Sequence, residues 1–352
     1  MSKLTVDYKG LVVTTCEVEP TAEGADLSNL ENGDEVTFKE SSPNGKKAVF
    51  LMKVKEYDNS GEFRAKYVSP DRAARFVELF DILNETNKNA SALFVVHGFN
   101  VQPASAMSNV ASKFDRFKEA GLNYYPIPVI WPCNDKGKYS EDQDDPSQKA
   151  GDQLRALVNG IDNKLFPRKS LLMHSMGNHV VFNGSCGFKK DGKVVDSPPD
   201  VEFENIFMVA ADVPHDIFWE NPWDYDNAWT DKDRRKRLYG QKYQKASNFF
   251  GMLKRNGSGD KKPIGKIYIV HNPRDSALHG SSWVKNYETR LGSLGHKKDG
   301  GDKIRNDLKD YIEDYNIYPE LPWVGDDWKY WHSYQLDLVA IKFYFTKDVS
   351  GK

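Results

Sequence analysis

The stretch Leu171-Leu172-Met173-His174-Ser175-Met176-Gly177-Asn178-His179 decides the fold. An apolar run ends in His-Ser-Met-Gly and passes at once into residues of helical character. The pattern predicts a buried strand, a tight turn carrying a serine, and a helix that begins immediately. A serine on such an elbow lifts its hydroxyl above the edge of a sheet and sets its backbone near a helix N-terminus. The strained turn needs small neighbours, and Gly177 is one. Met173 stands two residues before the serine, where the G-x-S-x-G pattern has glycine, so the elbow is half matched and is expected to be crowded. A buried Ser-Met-Gly in an ordinary strand-to-helix turn is the other reading of this stretch, and the surrounding chain decides between them.

Outward from the elbow, Ala92–Val96, Ile127–Pro132, Ile206–Ala211 and Lys266–His271 are short, nearly continuous apolar runs. Such runs suit parallel strands buried on both faces, although Pro128 and Pro132 weaken the second. Helical patterns lie between them, from Pro103 to about Ala120, over about 147–165, after the serine to about Cys186, and over about 277–293 and 302–315. Alternation of the two patterns from 91 to 315 predicts an α/β fold, a mostly parallel sheet with helices on both faces. Sites in such sheets lie at the carboxyl ends of the strands. His97, Ser175, Asp212 and Asp275 all fall at such ends.

Residues 1–69 read as a β-rich N-terminal extension. Leu11–Val13, Glu35–Phe38, Ala48–Val54 and Glu62–Val68 are strand-like, and Asp58-Asn59-Ser60-Gly61 is a turn between the last two. They either extend the edge of the main sheet or form a small separate β unit. The main domain is expected over 70–350, opening on a helix capped by Ser69 with Pro70 in its first turn. Residues 214–263 form an insertion, expected to be a cap or lid. It carries Trp219, Trp223 and Trp229, the charge run Asp231–Arg237, and Gly257-Ser258-Gly259 near its end. Acidic residues interrupt the basic run, which favours a solvated helix face over a phosphate or nucleic-acid site. A last amphipathic segment runs from Leu338 to Phe345.

The net charge of −2 over 352 residues leaves no global basic field, so bulk charge gives no case for a nucleic-acid partner. Cys16, Cys133 and Cys186 are odd in number and widely separated, which suggests neither a disulfide framework nor a zinc site. The first residues lack the apolar run of a signal peptide, and no apolar stretch has the length of a membrane span. A soluble cytoplasmic protein is the expectation, with no metal and no organic cofactor. Oligomeric state is not legible.

A serine hydroxyl needs a base within hydrogen-bond reach, usually histidine. The histidine needs a carboxylate to hold its tautomer, and the developing oxyanion needs N–H donors already aimed. The order Ser, acid, His along the chain offers Ser175, Asp275 and His332. Asp212 competes for the acid because it also ends a strand. His271, His279 and His296 lie too near the acid loop to serve as a separate C-terminal histidine. Met176 and either Phe99 or Asn100 are the expected oxyanion donors. His97 is expected to brace its loop, and His174, Trp219 and Trp223 to shape a substrate pocket.

Five motifs carry a resemblance. His97-Gly98-Phe99-Asn100, His174-Ser175-Met176-Gly177-Asn178, Asn272-Pro273-Arg274-Asp275-Ser276-Ala277-Leu278, Arg290-Leu291-Gly292 and Trp331-His332-Ser333-Tyr334 occur in that order. Over about residues 70–345 the chain resembles α/β-hydrolase-fold serine hydrolases, within them a mostly bacterial subgroup with the first two motifs. The resemblance implies a three-layer α/β-hydrolase fold and acyl transfer to water through an acyl-enzyme on Ser175. A small-molecule ester or acyl compound is the implied substrate, with carboxylesterase or lipase the nearest labels. An amidase or peptidase of the same fold, or a non-enzymatic binding scaffold, are the alternatives.

Overall fold

The computed structural model describes residues 7–39, 47–57, 61–69, 90–133, 149–157, 166, 168–186, 202–213, 217–218, 247, 249–253, 263–278, 304–317 and 332, with the backbone alone at 113–116, 118 and 183–186. The chain divides into two compact units, Met1–Leu171 and Leu172–Lys352.

The first unit holds β1 (Asp7–Thr14), β2 (Val18–Pro20), β3 (Glu35–Lys39), β4 (Val49–Tyr57), β5 (Glu62–Val68), β6 (Ser91–Val96), α1 (Pro103–Glu119) and β7 (Tyr124–Ile130). Their order across the sheet is β6-β7-β1-β4-β5-β3-β2. β7 runs parallel to β6 and to β1, and the pairings from β1 outward are antiparallel. The N-terminal strands therefore continue the sheet of β6 and β7 instead of standing apart. The reason lies in β1, where Leu11, Val12 and Val13 are all fully buried, as a strand covered on both faces requires. Further out, Phe38 of β3 pairs with Phe63 of β5, and their rings stack at 5.0 Å.

β7 accommodates Pro126 and Pro128 because of the direction they face. The carbonyl of Ile130 accepts the N–H of Thr15 at 2.9 Å, so the even-numbered residues of β7 address β1. β1 pairs with β7 only at Val13↔Val129 and Thr14↔Ile130, beyond both prolines. No ladder bond is lost where the proline nitrogens stand. Earlier in β1 the register slips between Tyr8 and Leu11, and the N–H of Leu11 donates to the Tyr125 hydroxyl at 3.0 Å. Gly10 sits in this bulge, where an added Cβ would lie 2.8 Å from the Tyr8 hydroxyl and 3.1 Å from that of Tyr125.

β8 (Lys169–His174) begins in the first unit and ends in the second, followed by α2 (Gly177–Cys186), β9 (Asn205–Val209), β10 (Lys266–His271) and β11 (Ile312–Asn316). In the second unit the order is β11-β10-β9-β8, with β10 parallel to both β9 and β11. Every residue of β8 and β9 is buried. The helix expected over 302–315 is not formed. Residues 305–311 make turns, and Ile312–Asn316 is a strand on β10. Ile304, Leu308 and Ile312 recur at helical spacing, and all three are buried, but the turns at Arg305 and Leu308 deliver Ile312 to β10. Arg305 holds this region to the ends of the insertion. Its N–H donates to the Phe218 carbonyl at 2.9 Å, and its guanidinium donates to the Ser247 hydroxyl at 2.8 Å and to both carboxylate oxygens of Asp307. Phe249 packs against Phe182 of α2 and Phe218. Most of the expected lid, with Trp219, Trp223 and Trp229, lies outside the described residues, as do the helices expected after Ser69 and after Leu278 and the segment Leu338–Phe345.

Candidate active site

Ser175 follows β8 with φ 51°, in the left-handed region that costs a non-glycine residue about 1–2 kcal/mol. The neighbours hold it there. Its N–H donates to Val209 at the end of β9 at 3.0 Å, and its carbonyl accepts the N–H groups of Asn178 and Asp212 at 3.1 and 3.3 Å. The Asn178 amide also donates to the carbonyls of Ser175 and Met173 at 2.9 and 3.2 Å. Met173 is fully buried, so the crowded elbow is accommodated with the methionine inside the core. Asn178 carried no expected role. The signal available for it was a short amide side chain in the first turn of the helix after the serine.

Asp275 follows β10 by way of a turn. Asn272 accepts the N–H of Asp275 on its carbonyl and the N–H of Arg274 on its side chain. Asp275 is fully buried, and each carboxylate oxygen has a partner. Oδ1 accepts the N–H of Leu278 at 3.1 Å, capping the short helix that starts there, and Oδ2 lies 2.7 Å from Nδ1 of His332. The other nitrogen of His332, Nε2, is 2.9 Å from Oγ of Ser175. Since a carboxylate accepts, Nδ1 carries the proton. Nε2 is left bare toward the serine, and the Ser175 hydroxyl donates to it. Asp212 is also fully buried, but its backbone N–H is what reaches Ser175. His174 places Nε2 2.8 Å from the carbonyl oxygen of His332, with the two rings 4.8 Å apart.

His97, Phe99 and Asn100 belong to the first unit. His97 ends β6 and stacks on Trp131 at 5.4 Å. Its Nδ1–H donates to the Gly98 carbonyl at 2.8 Å and its Nε2 accepts the Trp131 N–H at 3.3 Å, while the indole N–H of Trp131 donates to the His97 carbonyl. Burial holds the His97 pKa down to about 4, against a weaker upward pull from those backbone bonds. Both ring nitrogens are committed to backbone groups, of Gly98 in the loop and of Trp131 after β7. Asn100 takes φ 54°, a conformation asparagine tolerates better than most side chains. Met176, after the serine, is fully buried. Among the described residues no group of side chains could hold a metal ion, and no helix is long and apolar enough to cross a membrane.

A serine on a strained strand-to-helix elbow, at the edge of a mostly parallel sheet, defines the class as three-layer α/β-hydrolase. The particular family is shown by its match over residues 73–312: the chain belongs to the family described as alpha/beta hydrolase of unknown function (DUF900). His332 lies beyond the matched span. A search of curated proteins found no relative. Among solved structures, the chain is similar to a lipase-esterase related protein from Clostridium acetobutylicum, at 12% identity over 75% of this chain and 95% of the other, with a TM-score of 0.31. It is also similar to acetyl xylan esterase 1 from Thermoanaerobacterium, at 12% identity over 92% and 88% with a TM-score of 0.33. An esterase from Thermogutta terrifontis matches at 11% identity over 96% and 95%, also with a TM-score of 0.33. Likeness at these values adds nothing to what the family match shows.

Proposed function

We propose that the protein is a serine hydrolase that cleaves a small carboxylic ester through an acyl-enzyme on Ser175. One observation carries the reading: His332 joins Asp275 Oδ2 at 2.7 Å to Ser175 Oγ at 2.9 Å, with its protonated nitrogen on the carboxylate side. In that arrangement Nε2 takes the serine proton as Oγ attacks the ester carbonyl. Asp275 stabilises the imidazolium without taking its proton, and the imidazolium then protonates the leaving alcohol. Water repeats the sequence on the acyl-enzyme and releases the acid. Met176 N–H, at the start of α2, is the proposed donor to the oxyanion, where the helix N-terminus favours negative charge.

The test is a p-nitrophenyl ester series, from acetate to long acyl chains, on wild type and Ser175→Ala. Wild type should turn over at least one ester and take up a fluorophosphonate probe. Ser175→Ala should lose both, with kcat down by roughly 10⁴ or more and an unchanged melting temperature. Full turnover by a folded Ser175→Ala would remove the reading. Hydrolysis of anilides in preference to esters would move the substrate class to amides and keep the nucleophile.

A further inference from the structure

We propose that His174 is a positioning residue that fixes the base His332 against Ser175 by donating Nε2–H to the backbone carbonyl of His332. The inference rests on the reading of Ser175 and His332 as nucleophile and base. Two bonds already orient the His332 imidazole, one at each ring nitrogen. Neither fixes the backbone that carries it, and that backbone is 157 residues from the serine in sequence. His174 supplies the fixed point. It is the residue before Ser175 on the fully buried strand β8, it is itself buried, and its Nε2 reaches the His332 oxygen at 2.8 Å. A carbonyl oxygen only accepts, so the proton sits on Nε2 of His174. Nucleophile and base thus share one rigid reference, the end of β8.

The same geometry assigns different work to the two histidines. Their rings lie 4.8 Å apart, tilted by 54°. When His332 takes the serine proton it becomes a cation, and a second cation at that distance would oppose the step. His174 therefore serves as a neutral N–H donor, and its lateral contact fixes the tilt of the His332 ring. A histidine placed only for packing needs no long-range backbone partner, whereas this one is tied to the base 158 positions away. A misplacement of about 1 Å at such a site costs about 10²-fold in rate.

Three variants test it. His174→Phe keeps a ring and removes the donor. His174→Gln returns an N–H donor at the reach of Nε2, while His174→Asn has the donor but falls short. Melting temperatures, kcat and KM on p-nitrophenyl acetate, and the downfield proton resonance of His332 Nδ1–H are measured for each. His174→Phe and His174→Asn should lose about 10–100-fold in kcat with KM within about twofold, and the His332 resonance should weaken or shift. His174→Gln should recover to within about threefold of wild type with the resonance restored. If His174→Phe does not fold, the Gln and Asn pair carries the same comparison. Wild-type kcat in the Asn variant, or equal losses in Gln and Asn with the resonance intact, would overturn the role. A wild type that neither turns over esters nor takes up fluorophosphonate would instead overturn the reading of the site beneath it.

Discussion

Ser175 keeps a left-handed backbone because four hydrogen bonds converge on its N–H and carbonyl. The strain is held by the end of β9 and the first turn of α2, so the hydroxyl reaches His332 without a rearrangement of its own. The proposed acid, Asp275, divides its two oxygens between a helix cap and the histidine contact. That division makes Asp275→Asn informative. Asparagine caps a helix about as well as aspartate, so the fold should persist. Its amide would donate to Nδ1, moving the imidazole proton to Nε2, where it cannot accept from Ser175. We expect kcat to fall by roughly 10³–10⁴ with little change in melting temperature. Asp212→Asn leaves untouched the backbone N–H that meets Ser175 and should stay within about tenfold of wild type. A larger loss in Asp212→Asn than in Asp275→Asn, from steady-state kinetics on one ester, would transfer the acid role.

Elements in this chain are set where strands enter the sheet. Gly265 precedes β10, and an added Cβ would lie 2.5 Å from the Glu204 carbonyl oxygen and 2.8 Å from that of Phe203. Both are backbone atoms beside the Lys266–Asn205 pairing, so neither can swing away. Gly265→Ala should cost about 1–3 kcal/mol, read as a fall in urea midpoint with an unchanged slope. An unaltered midpoint would mean that β9 and β10 shift together at no cost. The sequence made the buried parallel strands legible because β6, β8, β9 and β10 are apolar almost throughout. Ser175, Asp275 and His332 were legible as candidates, the first two because strand ends expose chemistry and the third by its order in the chain. β11 was misread because Ile304, Leu308 and Ile312 keep a helical spacing through a turn that ends in a strand. The sequence left open whether the N-terminal strands join the main sheet or stand apart, since β1 meets β7 only beyond its prolines, at Val129 and Ile130. The contacts of His174 and Asn178 were not legible, because each ends on a backbone carbonyl that only the fold brings near.

Stability of the whole molecule should depend on pH through groups buried in their neutral forms. Tyr8 is held well above its usual value by burial first and by the nearby Tyr125 second, and burial raises Tyr125 to about 12. Above pH 10 the unfolded chain gives up these protons while the fold keeps them, so stability falls as pH rises. His97 acts at the other end. Well above pH 6.5 it is neutral in both states and contributes no pH dependence. Between 6.5 and about 4 the unfolded chain binds a proton that the folded chain refuses, because the ring is buried against Trp131 with both nitrogens already committed. More protons on the unfolded state means stability that rises with pH, so it declines as pH falls through this window. One such group contributes a slope of at most about 1.4 kcal/mol per pH unit. Urea unfolding at pH 7.5, 6.0 and 5.0 should therefore show a loss somewhat under 1 kcal/mol over the first interval and about 1 kcal/mol over the second. His97→Gln removes the titrating ring. It will lower stability at every pH through the lost stacking and bonds, but the difference between pH 6.0 and 5.0 should shrink by most of the wild-type amount. An equal difference in both proteins would assign the acid sensitivity to other groups and leave His97 protonated in the fold.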